Sequence, residues 1–68
     1  MTVLEDLRIE AGLSISELAK LAGVSRITIE KAEQGEPIRG NIAGKICNAL
    51  SEQLGRRITY KDADISIL

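Results

Sequence analysis

Between Thr2 and Leu54 the apolar residues return every three or four positions, in stretches opened by a hydroxyl or amide residue and closed by glycine. That spacing predicts short amphipathic helices with defined starts and stops. In the first stretch Leu4, Leu7 and Ala11 form the inward stripe, while Glu5, Asp6 and Glu10 fall on or near the wet side. Thr2-Val3-Leu4-Glu5 fits a capping box, in which hydroxyl and carboxylate each satisfy a free backbone amide. Gly12 supplies the left-handed residue that ends such a helix. Ser14-Ile15-Ser16-Glu17 is a second capping box. It opens a helix running to about Ala22, with Leu18, Leu21 and Ala22 inward and Ala19 small enough for a neighbour to approach.

Gly23 breaks that helix, Val24 is the apolar residue of the turn, and Ser25 caps a third helix from Arg26 to Gln34. Turns this short force steep packing angles, the geometry of a helix-turn-helix centred on residues 14–35. Gly35-Glu36-Pro37 ends the third helix, because proline cannot continue it. Ile38-Arg39-Gly40 reads as a short loop, and Asn41 as the cap of a fourth helix reaching about Leu54. Its inward residues are Ile42, Ala43, Ile46, Ala49, Leu50 and Leu54, and Gly55 is its C-cap. Gly44 inside it costs about 1 kcal/mol relative to alanine, and close helix packing is the reason the sequence offers. The tail, residues 56–68, is open to two readings. Thr59-Tyr60-Lys61-Asp62 can cap a short helix from Tyr60, the reading we favour. Alternatively, 57–60 and 65–68 are extended, since Ile58, Tyr60, Ile65 and Ile67 fit period two. The expected architecture is all-α: a compact bundle of four to five helices in a single domain over residues 1–68.

Composition narrows what such a bundle can do. At 68 residues only a small core is available, since chains of this size bury roughly 60% of their unfolded surface. That core is aliphatic: phenylalanine and tryptophan are absent and tyrosine occurs once. With no histidine and one cysteine, Cys47, neither a zinc site nor an internal disulfide is expected. Cys47 reads as a small buried hydrophobe rather than a redox switch. Nothing assembles a catalytic constellation, so no enzyme activity, cofactor or small-molecule ligand is expected. No apolar run reaches the ~20 residues of a membrane span, and the first residues lack a basic stretch followed by an apolar one. A cytoplasmic, nucleoid-associated chain is the expectation. The net charge of −1 and pI of about 5.3 run against nucleic-acid binding, which usually draws on an excess of lysine and arginine. Any such reading must rest on where the charges sit.

Wound at about 3.6 residues per turn, Arg26 to Gln34 separates into two faces. Ile29 and Ala32 share one, with Glu33 beside them; Arg26, Ile27, Glu30 and Lys31 share the other. A helix entering the major groove needs a core-packed inner face and groove-reaching side chains near its N-terminus. Arg26 can read guanine O6 and N7 in bidentate fashion, and Ile27 can meet a thymine methyl. Lys31 reaches a guanine or a phosphate. Glu30 either accepts from cytosine N4 or pairs with Arg26 one turn away. Each of the four is also compatible with ordinary solvated surface, as is the Arg56-Arg57 pair.

Two sets of residues carry a resemblance. Leu4-x-x-Leu7-Arg8-x-x-x-Gly12-Leu13-Ser14 looks like the first helix and its exit in the lambda-repressor/Cro type of helix-turn-helix, also called the xenobiotic-response-element family. Glu17-Leu18-Ala19-x-x-Ala22-Gly23-Val24-Ser25-x-x-Thr28-Ile29-x-x-x-Glu33-x-Gly35 resembles its central motif. Together they span about Leu4 to Leu50. The resemblance implies a five-helix fold that binds a palindromic double-stranded DNA operator as a homodimer, acting as a small transcriptional regulator, here a repressor. It implies base-reading roles for Arg26, Ile27 and Lys31, and a partly buried ion pair between Arg8 and Glu33. It further points to Arg39 as a phosphate contact in the loop after the third helix. The starts of the helices, at Ser14, Ser16, Ser25 and Asn41, are placed to hold phosphate in the same way.

Three departures stand out. The family often carries glutamine where this chain has Ile15, which cannot donate a hydrogen bond. It commonly carries a basic residue where this chain has Glu36, which repels phosphate. Its fourth helix is usually shorter than one reaching Leu54. These departures support an alternative, a protein-interaction module of antitoxin or anti-repressor type, in which exposed Ile15 and Ile27 form an apolar patch. The apolar run Ile65-Ser66-Ile67-Leu68, which a monomer would leave partly wet, favours a dimer in either case.

Overall fold

A computed structural model describes residues 2–68. Four helices follow one another: α1 (Val3–Glu10), α2 (Ile15–Ala22), α3 (Arg26–Glu33) and α4 (Gly40–Leu54). α2 packs on α3 and α4, and α1 closes the other side against the same two helices. Leu4, Leu18, Ile29, Ile46 and Leu50 are the fully buried centre, with each of the four helices contributing at least one of them. Among the described residues no helix is long and apolar enough to cross a membrane.

The helix starts follow the hydroxyl caps for α1 to α3. Thr2 Oγ1 accepts from the Glu5 amide at 3.2 Å, but the reciprocal half of that expected capping box is absent from the bonds at this terminus. Glu5 instead turns along the helix to lie 4.0 Å from Arg8. The box at α2 is complete: Ser14 Oγ accepts the Glu17 amide at 3.1 Å and Glu17 Oε1 accepts the Ser14 amide at 2.9 Å. The inward stripe of α2 differs from the expectation. Leu21 is 52% exposed while Ala19 is buried. With successive side chains turned by about 100°, Ile15, Leu18, Ala19 and Ala22 cluster on one side, and Leu21 stands well off their centre.

The first three helices end by one device. The amide of the residue after the glycine returns to the carbonyl five positions back: Leu13 to Arg8 at 3.1 Å, Val24 to Ala19 at 3.0 Å, Glu36 to Lys31 at 3.0 Å. This closure needs a left-handed residue, which Gly23 (φ +73°) supplies between α2 and α3. The third helix stops one residue sooner than expected, with Gln34 as its C-cap.

Arg8 joins the two ends of the chain's first half. Its Nε donates to Glu33 Oε2 at 2.6 Å and its Nη2 to Glu33 Oε1 at 3.3 Å, while Nη1 donates to the Leu13 carbonyl at 2.9 Å. The side chains are 12% and 8% exposed. The bond to Glu33 holds the Arg8 guanidinium above its ordinary pKa, against the opposing effect of burial.

Three expectations for the second half are corrected. Asn41 is not the cap of α4. Ile38 is held extended by the tail, Arg39 (φ −68°, ψ 145°) becomes the N-cap, and the helix begins at Gly40 with no side-chain cap. Gly44 is not explained by close packing, since a Cβ there would meet nothing within 4 Å. The favoured helix from Tyr60 forms only one turn. Thr59 and Asp62 cap each other reciprocally at 3.0 and 3.1 Å, and Ala63 N–H bonds the Thr59 carbonyl. Asp64 then adopts φ +55° and Ile65 N–H closes back on the Tyr60 carbonyl, which stops the helix before a second turn. From there the chain runs beside Ile38 in a parallel bridge centred on Ile67. Arg56, read as solvated, reaches Glu10 at 3.1 Å on the surface, a contact worth little.

Ser51 fastens the tail to α4: its hydroxyl lies 2.7 Å from the Cys47 carbonyl and accepts the Ile58 amide at 2.8 Å. Ser51→Ala strands that amide and should cost about 1–3 kcal/mol of stability in urea unfolding. Glu33→Ala leaves the Arg8 charge enclosed without its partner, and the same measurement should show a loss of about 3–5 kcal/mol.

Candidate nucleic-acid interface

The two faces of α3 separate cleanly. Ile29, Ala32 and Glu33 are buried, whereas Arg26, Ile27 and Lys31 are exposed, Ile27 to 63%. Glu30 is half-buried between them. Among the described residues the ion pairs are Arg8–Glu33, Arg8–Glu5 and Arg56–Glu10; the Arg26–Glu30 pairing open in the sequence is not among them. The Arg26 guanidinium therefore keeps its donors available on the outer side of the first turn.

Lys31 and Arg39 come from different elements, yet both line one cleft of about 300 Å³, together with Thr28, Pro37, Ile38, Ile42 and Leu68. Its lining thus combines two cationic residues and a hydroxyl with aliphatic side chains. A cleft of that chemistry suits a phosphate of a nucleic-acid backbone, whose charge meets the cations. Arg26, Ile27, Glu30, Ser14, Ser16, Ser25 and Asn41 do not line this cleft. Thr28 also lines this cleft, a place the sequence reading did not give it beyond its part in the motif. Its position one turn before Lys31 was the available signal. The place of Leu68 had no local signal.

The helix-start serines are already engaged, which limits what else they can do. Ser25 Oγ accepts the Thr28 amide at 3.1 Å and lies 2.8 Å from Thr28 Oγ1. Two hydroxyls bring two hydrogens; one lies between them and one remains for an outside acceptor. Ser14 Oγ accepts the Glu17 amide, and its hydroxyl is engaged with the Glu17 carboxyl as well. Ser16 and Asn41 are exposed second residues of α2 and α4. Ile15 is half-buried and packs against the core, so the expected surface patch of Ile15 with Ile27 is not formed.

A family model described as helix-turn-helix matches residues 4–61. The chain belongs to the lambda-repressor type of helix-turn-helix family. This is a family of DNA-binding domains, and α2, Gly23 and α3 are its helix-turn-helix unit here. No curated protein and no solved structure matches the chain.

Away from this face, Cys47 is buried and forms part of a second cleft with Gly40, Gly44 and the 57–60 segment. Burial, with a smaller effect of the Asp62 charge, pushes its thiol above the ordinary value, so little thiolate is present near neutrality.

The start of α2 responds to acid. Accepting the Ser14 amide, and then the Ser14 hydroxyl environment, holds the Glu17 carboxyl below its ordinary 4.5. A carboxyl lowered in the fold gives its full support above pH 4.5 and loses it as the pH falls through the lower, folded-state value. A carboxyl-carbon NMR titration should place the Glu17 midpoint below 4.5, and Ser14→Ala, which removes the hydroxyl and keeps the amide, should move it only part of the way back up.

Proposed function

We propose that the chain binds double-stranded DNA sequence-specifically as a small transcriptional repressor, with α3 in the major groove. The observation that carries this reading is the two-sided α3: Arg26, Ile27 and Lys31 stand outward while Ile29, Ala32 and Glu33 seat the helix. Arg26 reads guanine, Ile27 meets a thymine methyl, and Glu30 accepts from cytosine N4. Lys31 and Arg39 hold the backbone along the shared cleft, and the helix-start residues Ser14, Ser16, Ser25 and Asn41 add phosphate contacts through their side chains and the amides around them. A homodimer on a palindromic operator would set its two α3 helices about 34–36 Å apart, one turn of duplex.

The low bulk charge is compatible with this reading because cations gather locally. Glu36 is exposed beside the cleft and weakens phosphate binding, so affinity should be modest and strongly salt-dependent. The protein-interaction alternative relied on an apolar patch joining Ile15 to Ile27, and with Ile15 packed inward that patch lacks one of its members.

Selection of sites from random duplexes should return a defined operator. Binding to it should weaken steeply with salt, log K falling with a slope of about −0.9 for each phosphate neutralised. Arg26→Ala should cost about 1–3 kcal/mol and relax preference at one base pair, and Lys31→Ala should lower the salt slope by about one. An affinity that stays level from low to moderate salt would count against the whole reading.

A further inference from the structure

The loop between α3 and α4 carries Arg39, and what fixes that loop is the tail. Ile38 precedes Arg39 and is buried. Both of its backbone groups are taken by the tail: its N–H donates to the Ser66 carbonyl at 2.9 Å, and its carbonyl accepts the Leu68 N–H at 2.9 Å. Ile67 lies over the start of α4, its Cγ2 3.8 Å from where a Gly40 Cβ would sit. Leu68 reaches into the cleft that Lys31 and Arg39 line. The tail itself is anchored, since Ile58, Ala63 and Ile65 are buried and Ser51 holds Ile58. The pairing is therefore a short strap from a fixed anchor to the one residue next to the loop cation.

We infer that the backbone pairing of residues 66–68 with Ile38 is a positioning device for DNA-backbone binding: it sets the extended Arg39 backbone and so aims the Arg39 guanidinium at the cleft. The inference rests on the proposed DNA binding. Its physical basis is that a single long, exposed side chain gains a directed phosphate contact only where its backbone is held, because otherwise the ordering cost falls on binding. Two hydrogen bonds on consecutive sides of Ile38 remove that cost before the duplex arrives. Arg39 also serves as N-cap of α4 without a side-chain cap; the helix start holds its carbonyl, which accepts the Ala43 N–H at 3.0 Å, and the tail holds the residue before it.

The test uses the full chain. Leu68→Pro removes the N–H that bonds the Ile38 carbonyl, and proline favours an extended residue before it. Leu68→Ala keeps that N–H and removes only the side chain. Binding to a selected operator duplex is measured across a salt series for wild type, Leu68→Pro, Leu68→Ala, Arg39→Ala and Arg39→Ala with Leu68→Pro. Amide hydrogen exchange at Ile38 is followed in the same proteins without DNA. We expect Leu68→Pro to speed Ile38 exchange and weaken binding about tenfold, the worth of one charged hydrogen bond. It should also lower the salt slope by about 0.9, one phosphate contact. Leu68→Ala should keep the wild-type slope, and the double variant should bind no worse than Arg39→Ala alone. Thermal unfolding in parallel separates a general loss of stability, which would reduce the folded fraction but leave the slope unchanged.

The inference is overturned if Leu68→Pro speeds Ile38 exchange and leaves the salt slope intact, or if its effect adds in full to that of Arg39→Ala. Failure of wild type to bind any duplex would overturn the DNA reading and this one with it. A wild type that binds, beside a Leu68→Pro that binds with the same slope, would overturn this inference alone.

Discussion

Everything that presents α3 to a partner depends on the Arg8–Glu33 pair. The guanidinium spans α1, the turn at Leu13 and the last turn of α3 with three donated bonds. A pair so enclosed adds less net stability than its distances imply, because both ions lose water. Its contribution is to orientation: Glu33 has one nearby cation, and only one rotation of α3 brings it there. That rotation is also the one that turns Arg26, Ile27 and Lys31 outward. Scaffold and proposed reading face are thus tied to the same contact.

The same logic explains how an acidic chain can belong to a family of DNA-binding domains. At ordinary salt, charges farther apart than about 10 Å, the Debye length, are largely screened from one another, so contact depends on the charges that sit close to the partner rather than on their sum over the chain. Glu17 is committed to the Ser14 amide, Glu33 to Arg8 and Asp62 to Thr59. Those carboxylates perform capping and bracing, and none belongs to the cleft that holds Lys31 and Arg39. Glu30 and Glu36 are the acids left near the proposed interface, and they bear on affinity rather than on fold.

Legibility in the sequence followed the range of the interaction responsible. The hydroxyl caps of α1 to α3 and the glycine stops are three- to five-residue devices, and each was readable from its own residues. Leu21 was misplaced because Leu18, Leu21 and Ala22 satisfy a three-four spacing as well as Ile15, Leu18, Ala19 and Ala22 do. Only the positions of α3 and α4 decide between them. Asn41 is a good cap by residue type, but the start of α4 is decided by Ile67 and Leu68, more than two dozen positions away, and no local pattern carries that information. The tail mixed two signals that were both real: the Thr59–Asp62 cap made one turn, and the period-two isoleucines made the extended piece that follows. For the reading face, winding alone separated Arg26, Ile27 and Lys31 from Ile29 and Ala32. The cleft joining Lys31 to Arg39 through Thr28 required the fold.

The structure also changes what the apolar tail can mean. As a sequence, Ile65-Ser66-Ile67-Leu68 argued for a second subunit because so much apolar surface would otherwise meet water. In the fold Ile65 is buried within its own chain, and Ile67 and Leu68 are left 39% and 76% exposed. Leu68 borders the cleft of Lys31 and Arg39, so a subunit that covered Leu68 would cover part of the proposed phosphate track as well. The two uses of that residue compete for the same space. A dimer bound to DNA must therefore find its contact elsewhere, and exposed Val3, Ile9 and Tyr60 lie outside the lining of that cleft. A subunit contact there would be separate from the strap, and the two would not compete.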